Sequence, residues 1–199
     1  FDRTSIRSKF PAISLQGVFG VKDLLGSEYN YQKIALNIEH RTQIGILGRI
    51  EYGANIGAVF GNVAYPLLHA IPGNQSLWLM TSAFNKLNFL EFVCDRYTGF
   101  YLENHWDGFF MNKIPLVKKL NLRLVTSGRL AYGALSHRHE ASMIFPDFIK
   151  EFNGLPYAES TIGIENLFKF FRVDLVWRMT YLDETTNPLG IRAKFALNF

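Results

Sequence analysis

Apolar and polar side chains alternate with a period of two along most of this sequence, and only a β-strand sends successive side chains to opposite faces. From Phe171 to Leu182 one face reads Phe171, Val173, Leu175, Trp177, Met179, Tyr181 and the other Arg172, Asp174, Val176, Arg178, Thr180, Leu182. Between Gly48 and Gly61, Ile50, Tyr52, Ala54, Ile56, Ala58 and Phe60 oppose Arg49, Glu51, Gly53, Asn55, Gly57 and Val59. Ile34, Leu36 and Ile38 oppose Lys33, Asn37, Glu39, Arg41 and Gln43, and Leu120, Leu122, Leu124 and Leu130 oppose Asn121, Arg123, Ser127 and Arg129. The segment from Leu189 to Phe199 alternates in the same way, and weaker versions run over 13–21 and 157–166. The pattern predicts eight strands, at about 12–22, 30–44, 48–60, 90–106, 119–133, 157–166, 171–182 and 189–199.

Several of these runs reach about ten residues, the length that crosses a hydrocarbon core when tilted, whereas strands of soluble sheets average about five or six. The apolar faces are almost free of charge, with Arg96 the clearest exception. The polar faces mix both signs among small residues, as a hydrated, charge-paired interior does. The expected fold is therefore all-β, a transmembrane antiparallel β-barrel in a bacterial outer membrane. Charged residues interrupt every apolar stretch before the roughly 18 residues that a membrane helix needs. The net charge of +4 is spread singly rather than in patches, which argues against nucleic acid as a partner, and the single Cys94 excludes an internal disulfide.

With the last strand ending in the periplasm, the connections 45–47, 107–118 and 167–170 fall on that side, and 23–29, 61–89, 134–156 and 183–188 fall outside. This is the usual asymmetry of short turns and long loops. The charged interior positions are Lys33, Glu39, Arg41, Arg49, Glu51, Arg123, Arg129, Glu159, Glu165, Arg172, Asp174, Arg178, Arg192 and Lys194. Their expected role is mutual pairing, with a selectivity-setting pore lining as the alternative. So many charges, with two long loops, overfill the narrow interior of an eight-stranded barrel. Residues 1–199 are thus expected to be one barrel segment, the C-terminal half of a barrel of about sixteen strands, with upstream strands of its own chain as partners. Tyr29, Tyr31, Trp106, Tyr132, Tyr157 and Tyr181, near strand ends, suit interfacial girdles.

Other chemistry is sparse. His137, Arg138, His139 and Glu140 could offer metal ligands, but such residues in a polar loop are more often solvated. His105 and Asp107 read as a structural hydrogen-bonded pair. Ser160 and His40 share apolar-face parity, the minimum for a lipid-acting barrel enzyme, with nothing to bring them together. No catalytic residue, metal site or cofactor is expected. The loop 61–89 carries Tyr65, Leu67, Ile71, Leu77, Trp78 and Phe84, too much apolar surface to stay solvated, and is expected to fold inward and occlude the interior, with an external cap or a partner-binding patch as the alternative.

The runs YNYQKIALNIEHRTQIG, VAYPLLHAIPGNQS, FLEFVCDRYTGFYLENHWDGFFMNKIPLVKKL and PYAESTIGIENLFKFFRVDLVWRMTYLD resemble the C-terminal barrel of an uncharacterised family of bacteroidete-type outer-membrane proteins. Members of that family commonly carry an N-terminal carboxypeptidase-regulatory-like domain. The resemblance covers nearly the whole chain and implies location and architecture rather than an activity. The layout is also remotely similar to the C-terminal half of BamA and TamA type barrels, which have a long inward-folding loop at the position of 61–89. The Arg-Gly-aromatic tip of those translocases is absent here, since IPGNQSLWLM has Gly73 with no following Arg. Phe195, Leu197 and Phe199 look like the C-terminal signal read by the barrel-assembly machinery, which the resemblance makes a partner during biogenesis. The function expected is non-enzymatic, in transport, membrane assembly or surface display among outer-membrane lipid and other outer-membrane proteins. A lipid-acting enzyme and a passive pore are the alternatives.

Overall fold

A computed structural model describes residues 9–24, 26–111, 119–140, 145–184 and 186–195. The chain is all-β. Its main element is an eight-stranded antiparallel sheet made of β1 (Ala12–Gly20), β2 (Tyr31–Gln43), β3 (Arg49–Phe60), β6 (Arg96–His105), β7 (Arg123–Ala134), β8 (Tyr157–Leu167), β9 (Phe171–Arg178) and β10 (Leu189–Phe195), hydrogen-bonded in that order. Two short strands, β4 (His69–Ala70) and β5 (Val93–Cys94), pair with each other inside the long connection between β3 and β6. Each of the eight segments with period-two alternation forms a strand of the sheet. Among the described residues no helix is long and apolar enough to cross a membrane, which says nothing of strands.

Chain neighbours in the sheet are space neighbours, so the turns alternate between its two ends. The β2–β3 turn is tight, closed by a single 3-10 turn at Gly45–Leu47. Gly48 completes it with φ 84°, and a Cβ there would lie 2.0 Å from the carbonyl oxygen of His105, so no side chain fits. The β8–β9 connection is as short, with Phe168 and Lys169 both at positive φ. The two longest connections, 61–95 and 135–156, leave from the opposite end.

The distribution of burial is inverted relative to a water-soluble sheet. On β9 the charged side holds Arg172, Asp174 and Arg178 at 3%, 0% and 1% exposure, whereas Val173, Leu175 and Trp177 are 39%, 43% and 50% exposed. Cross-strand register extends that division over the sheet. Lys33, Glu51 and Arg129 share the charged face, and Ile34, Ile56, Leu130 and Ile162 share the exposed apolar one. The core lies on the charged side, beneath residues 63–94 of the β3–β6 connection.

The sheet does not close on itself. The far edge of β1 has no strand beside it among the described residues, and β1 is exposed on both faces over most of its length. On the far edge of β10, Leu77–Leu79 takes the position of a neighbour: Leu79 N donates to Ala193 O at 2.6 Å and Ala193 N to Leu77 O at 3.0 Å. The described residues therefore form an open eight-stranded sheet whose two edge strands do not meet.

Candidate functional site

The charged face is organised as two ion-paired clusters with a cavity between them. The first cluster fastens the long connection to β8, β9 and β10. The Glu159 carboxylate accepts hydrogen bonds from the backbone N–H of Asn85 at 2.8 Å and of Lys86 at 2.6 Å, and from the Tyr157 hydroxyl at 2.7 Å. Arg178 donates to both oxygens of Glu91 and to the carbonyl of Lys86 at 3.2 Å, and Arg192 donates to the carbonyl of Asn85 at 2.6 Å. Burial, then the nearby Arg192 and Arg178, lower the Lys86 pKa, with Glu159 opposing them. The connection also holds its own shape: Asn74 donates to Trp78 O and to Asn85 Oδ1, and Asn85 to Met80 O.

Apolar contacts complete the seal. Ile71, Phe84, Leu87, Phe92 and Cys94 pack with Tyr97, Ala131 and Tyr157 from the strands. The His69 ring lies flat on Tyr97, with centroids 3.4 Å apart and planes at 9°. Burial, reinforced by Lys33, pushes the His69 pKa down to about 4, so this imidazole is neutral at neutral pH. Burial and the adjacent Asp95 push the Cys94 thiol up to about 12, which removes it as a nucleophile.

The second cluster lies toward the tight turns. His105 sits between two carboxylates, with Nε2 3.0 Å from Glu103 and Nδ1 3.0 Å from Glu165. Arg172 forks between Glu103, at 2.7 and 3.2 Å, and Asp174, at 2.8 Å. Arg41 and Arg49 meet Glu51 at 3.1 and 3.0 Å. Charges as buried as Glu103, Glu165, Arg172 and Asp174 cost several kcal/mol each when alone, so pairing is the condition for their presence here. Between the clusters lies a cavity of about 300 Å³, lined among others by Glu39, Glu51, Glu103, Arg129, His69 and Ser82. Arg129 is buried there over the Tyr101 ring, 5.5 Å from its centroid.

The structure thus brings together Arg41, Arg49, Glu51, Glu165, Arg172 and Asp174 in one cluster, and Glu159, Arg178 and Arg192 in the other. Arg123 stands apart, 3.9 Å from Asp107 near a turn. Lys33 and Lys194 share the charged face without joining either cluster. Glu91 and Glu103 join the clusters without having been singled out, and His105 and Tyr157 join them in roles other than those expected. Parity was the available signal for three of them: Glu103 and His105 oppose Arg96 in alternation, and Tyr157 shares the face of Glu159.

Several expectations are corrected. Tyr157 is fully buried on the charged face rather than in a girdle, because its hydroxyl has Glu159 to bond. Tyr29, Tyr31 and Tyr181 also pack against the core clusters, leaving Trp106, beside Phe109 and Phe110, and the exposed Tyr132 at rim positions. His105 pairs with Glu103 and Glu165, not Asp107, since the strand points its side chain inward and Asp107 lies past the strand's end. His139, expected in a solvated loop, is buried 3.9 Å from Asp95, at the end of which Ser136 also bonds. Among the described residues no three His, Cys, Asp or Glu side chains are grouped to hold a metal. His40 on β2 and Ser160 on β8 have β3, β6 and β7 between them, about 19 Å of sheet, so they form no catalytic pair. Phe195 is on the apolar face, its ring against Phe170 and Phe171, and Leu197 and Phe199 lie outside the described residues.

The C-terminal domain of a family of unknown function, DUF5686, matches residues 2–141. The chain belongs to that family. The DUF5686 match takes in β1 to β7 with the whole covering connection and stops before β8, so Glu159, Arg178 and Arg192, the anchors of that connection, lie outside the matched span. No curated protein matches the chain.

Proposed function

We propose that this chain is the wall of an integral outer-membrane β-barrel whose interior is occluded by residues 63–94, a non-enzymatic part of a transport, membrane-assembly or surface-display protein. The observation that carries this reading is the inverted burial on the strands, charged side chains inside and isoleucine, leucine and tryptophan outside. Water penalises such a surface by about 25 cal/mol per Å² of exposed apolar area, whereas lipid accepts it. In lipid the open edge of β1, and that of β10 beyond its contact with Leu77–Leu79, would cost several kcal/mol per unsatisfied backbone group, so further strands, upstream in the same chain, close the wall into a barrel of about sixteen.

The resemblance to bacteroidete-type outer-membrane proteins and, at a distance, to BamA and TamA type barrels agrees with this location. It adds the barrel-assembly machinery as a biogenesis partner and Phe195, Leu197 and Phe199 as its signal. The anchors from Glu159, Arg178 and Arg192 to the connection favour a closed interior over a passive pore. The separation of Ser160 from His40 removes the specific motive for a lipid-acting enzyme.

The test compares Ile56→Arg with Asn55→Arg in the full-length protein, by membrane fractionation and heat-modifiable gel mobility. A charge at Ile56 faces lipid and costs about 2–4 kcal/mol near the midplane. A charge at Asn55 enters the 300 Å³ cavity that also holds Glu39, Glu51 and Glu103. Folding retained in Asn55→Arg and lost in Ile56→Arg is the expected result; equal yields would overturn the assigned orientation.

A further inference from the structure

Along the outward-facing positions of the eight strands, Arg96 carries the only formal charge among the described residues. It opens β6, at the end of the sheet from which the long connections leave. Ala58 and Ala134 flank it in cross-strand register, and with Thr98 these small side chains form the floor of a depression of about 620 Å³. Ile56, Phe60 and Tyr132 form its walls. The groove is almost wholly apolar except at the arginine.

Arg96 is held from one side only. Its Nε lies 3.5 Å from Asp95, whose nearly buried carboxylate is itself fixed by the backbone N–H and the hydroxyl of Ser136. The side chain is 63% exposed, and its terminal nitrogens make no hydrogen bond to the described residues. A planar guanidinium with both terminal groups available matches a phosphate through two parallel hydrogen bonds. An apolar groove running from that cation along the strands matches an acyl chain.

We propose that Arg96 and this groove bind one phosphate-bearing lipid of the surrounding leaflet, its phosphate on the guanidinium and an acyl chain over Ala58 and Thr98. The site rests on the membrane-wall reading above. It differs from a snorkelling arginine, which needs only a positive charge near water.

The test uses full-length protein in detergent, with native mass spectrometry against phosphatidic acid, diacylglycerol of the same chains, and inorganic phosphate. Wild-type protein should retain one phosphatidic acid in preference to diacylglycerol, with inorganic phosphate failing to displace it. Arg96→Leu and Arg96→Lys should each weaken retention, the former by about tenfold or more, given the strength of a charge-assisted pair. Ala58→Trp should weaken it with the arginine intact. Heat-modifiable mobility reports the barrel separately. If wild-type protein shows no such folded band, the membrane reading fails and the site with it. If the band is present and Arg96→Leu retains phosphatidic acid as wild type does, or diacylglycerol binds equally, the lipid site alone is overturned.

Discussion

Arg178 donates to both carboxylate oxygens of Glu91, at 3.1 and 2.7 Å, across 87 residues of sequence, with both side chains almost completely buried. The guanidinium comes from the end of β9 and the carboxylate from the covering connection, so this pair joins the wall to what covers it. Arg178 also donates to Lys86 O, Thr180 O and Tyr181 O, which leaves it few alternatives if Glu91 is lost.

Glu91→Ala should therefore loosen the connection. Removing one partner of a buried pair strands the other charge and costs about 3–5 kcal/mol. Limited proteolysis should cut within 61–95 far sooner than in wild type, while the strands stay protected. Unchanged cleavage would show that the pair does not hold the connection.

The position of the strands was readable because period two is a local property. Phe171–Arg178 and Tyr157–Leu167 follow from their own side chains. What decides where a strand stops is not local. The alternation continued from Leu90, yet β6 begins at Arg96 because Val93 and Cys94 pair with His69 and Ala70 inside the connection. Likewise β9 ends at Arg178 although Met179 and Tyr181 keep the pattern, since Tyr181 takes φ 55° and turns onto Phe92 and Phe152. The charged face was legible as a set of residues. Its partition into two clusters was not, because Glu159 meets Asn85 across 74 residues and Arg172 meets Glu103 across 69.

Acid should release the connection. The His69 pKa in the fold is about 4 against 6.5 for the free side chain, so the unfolded segment binds the proton first, and the stabilisation present above pH 6.5 is lost as pH falls toward 4. Burial raises the Glu91 pKa, but the hydrogen bonds from Arg178 and Asn88 N outweigh it and leave the net value below 4.5; its contribution too is present above 4.5 and lost on further acidification. The protection factors of amides in 69–94, corrected for the intrinsic pH dependence of exchange, should fall from pH 6.5 to 4. His69→Phe, which keeps the stack on Tyr97, should flatten that limb; the same fall in the variant would assign it to other groups.

Gly163→Ala should damage the second cluster. An added Cβ would lie 2.3 Å from Asp174 Oδ1, and Asp174 cannot yield while Arg172 holds it. Overpacking of this kind costs about 1–3 kcal/mol. The folded band should melt at a lower temperature than wild type, whereas Gly128→Ala, where nothing lies within 4 Å, should leave it unchanged. Equal melting of the two variants would contradict the packing around Asp174.

Removing the cover should open the interior. Ile71, Phe84 and Leu87 occupy the space above Tyr97, Ala131 and Tyr157, and the anchors Asn85, Lys86 and Glu91 belong to the same connection, so a deletion must span 64–91 to release both. A short Gly/Ser link replaces it. Glu159, Arg178 and Arg192 then lose their partners, but in the proposed barrel of about sixteen strands entering water can solvate them, which a closed core could not allow. The full-length protein carrying this deletion should conduct ions in planar bilayers where wild type does not, and cells bearing it should take up small antibiotics faster. Glu91→Ala, which loosens the cover without removing it, should give brief openings. A deletion variant that folds yet stays closed would show that other parts of the chain block the interior. If conductance is unchanged while a copurifying protein is lost, the connection is an interaction surface and not a plug.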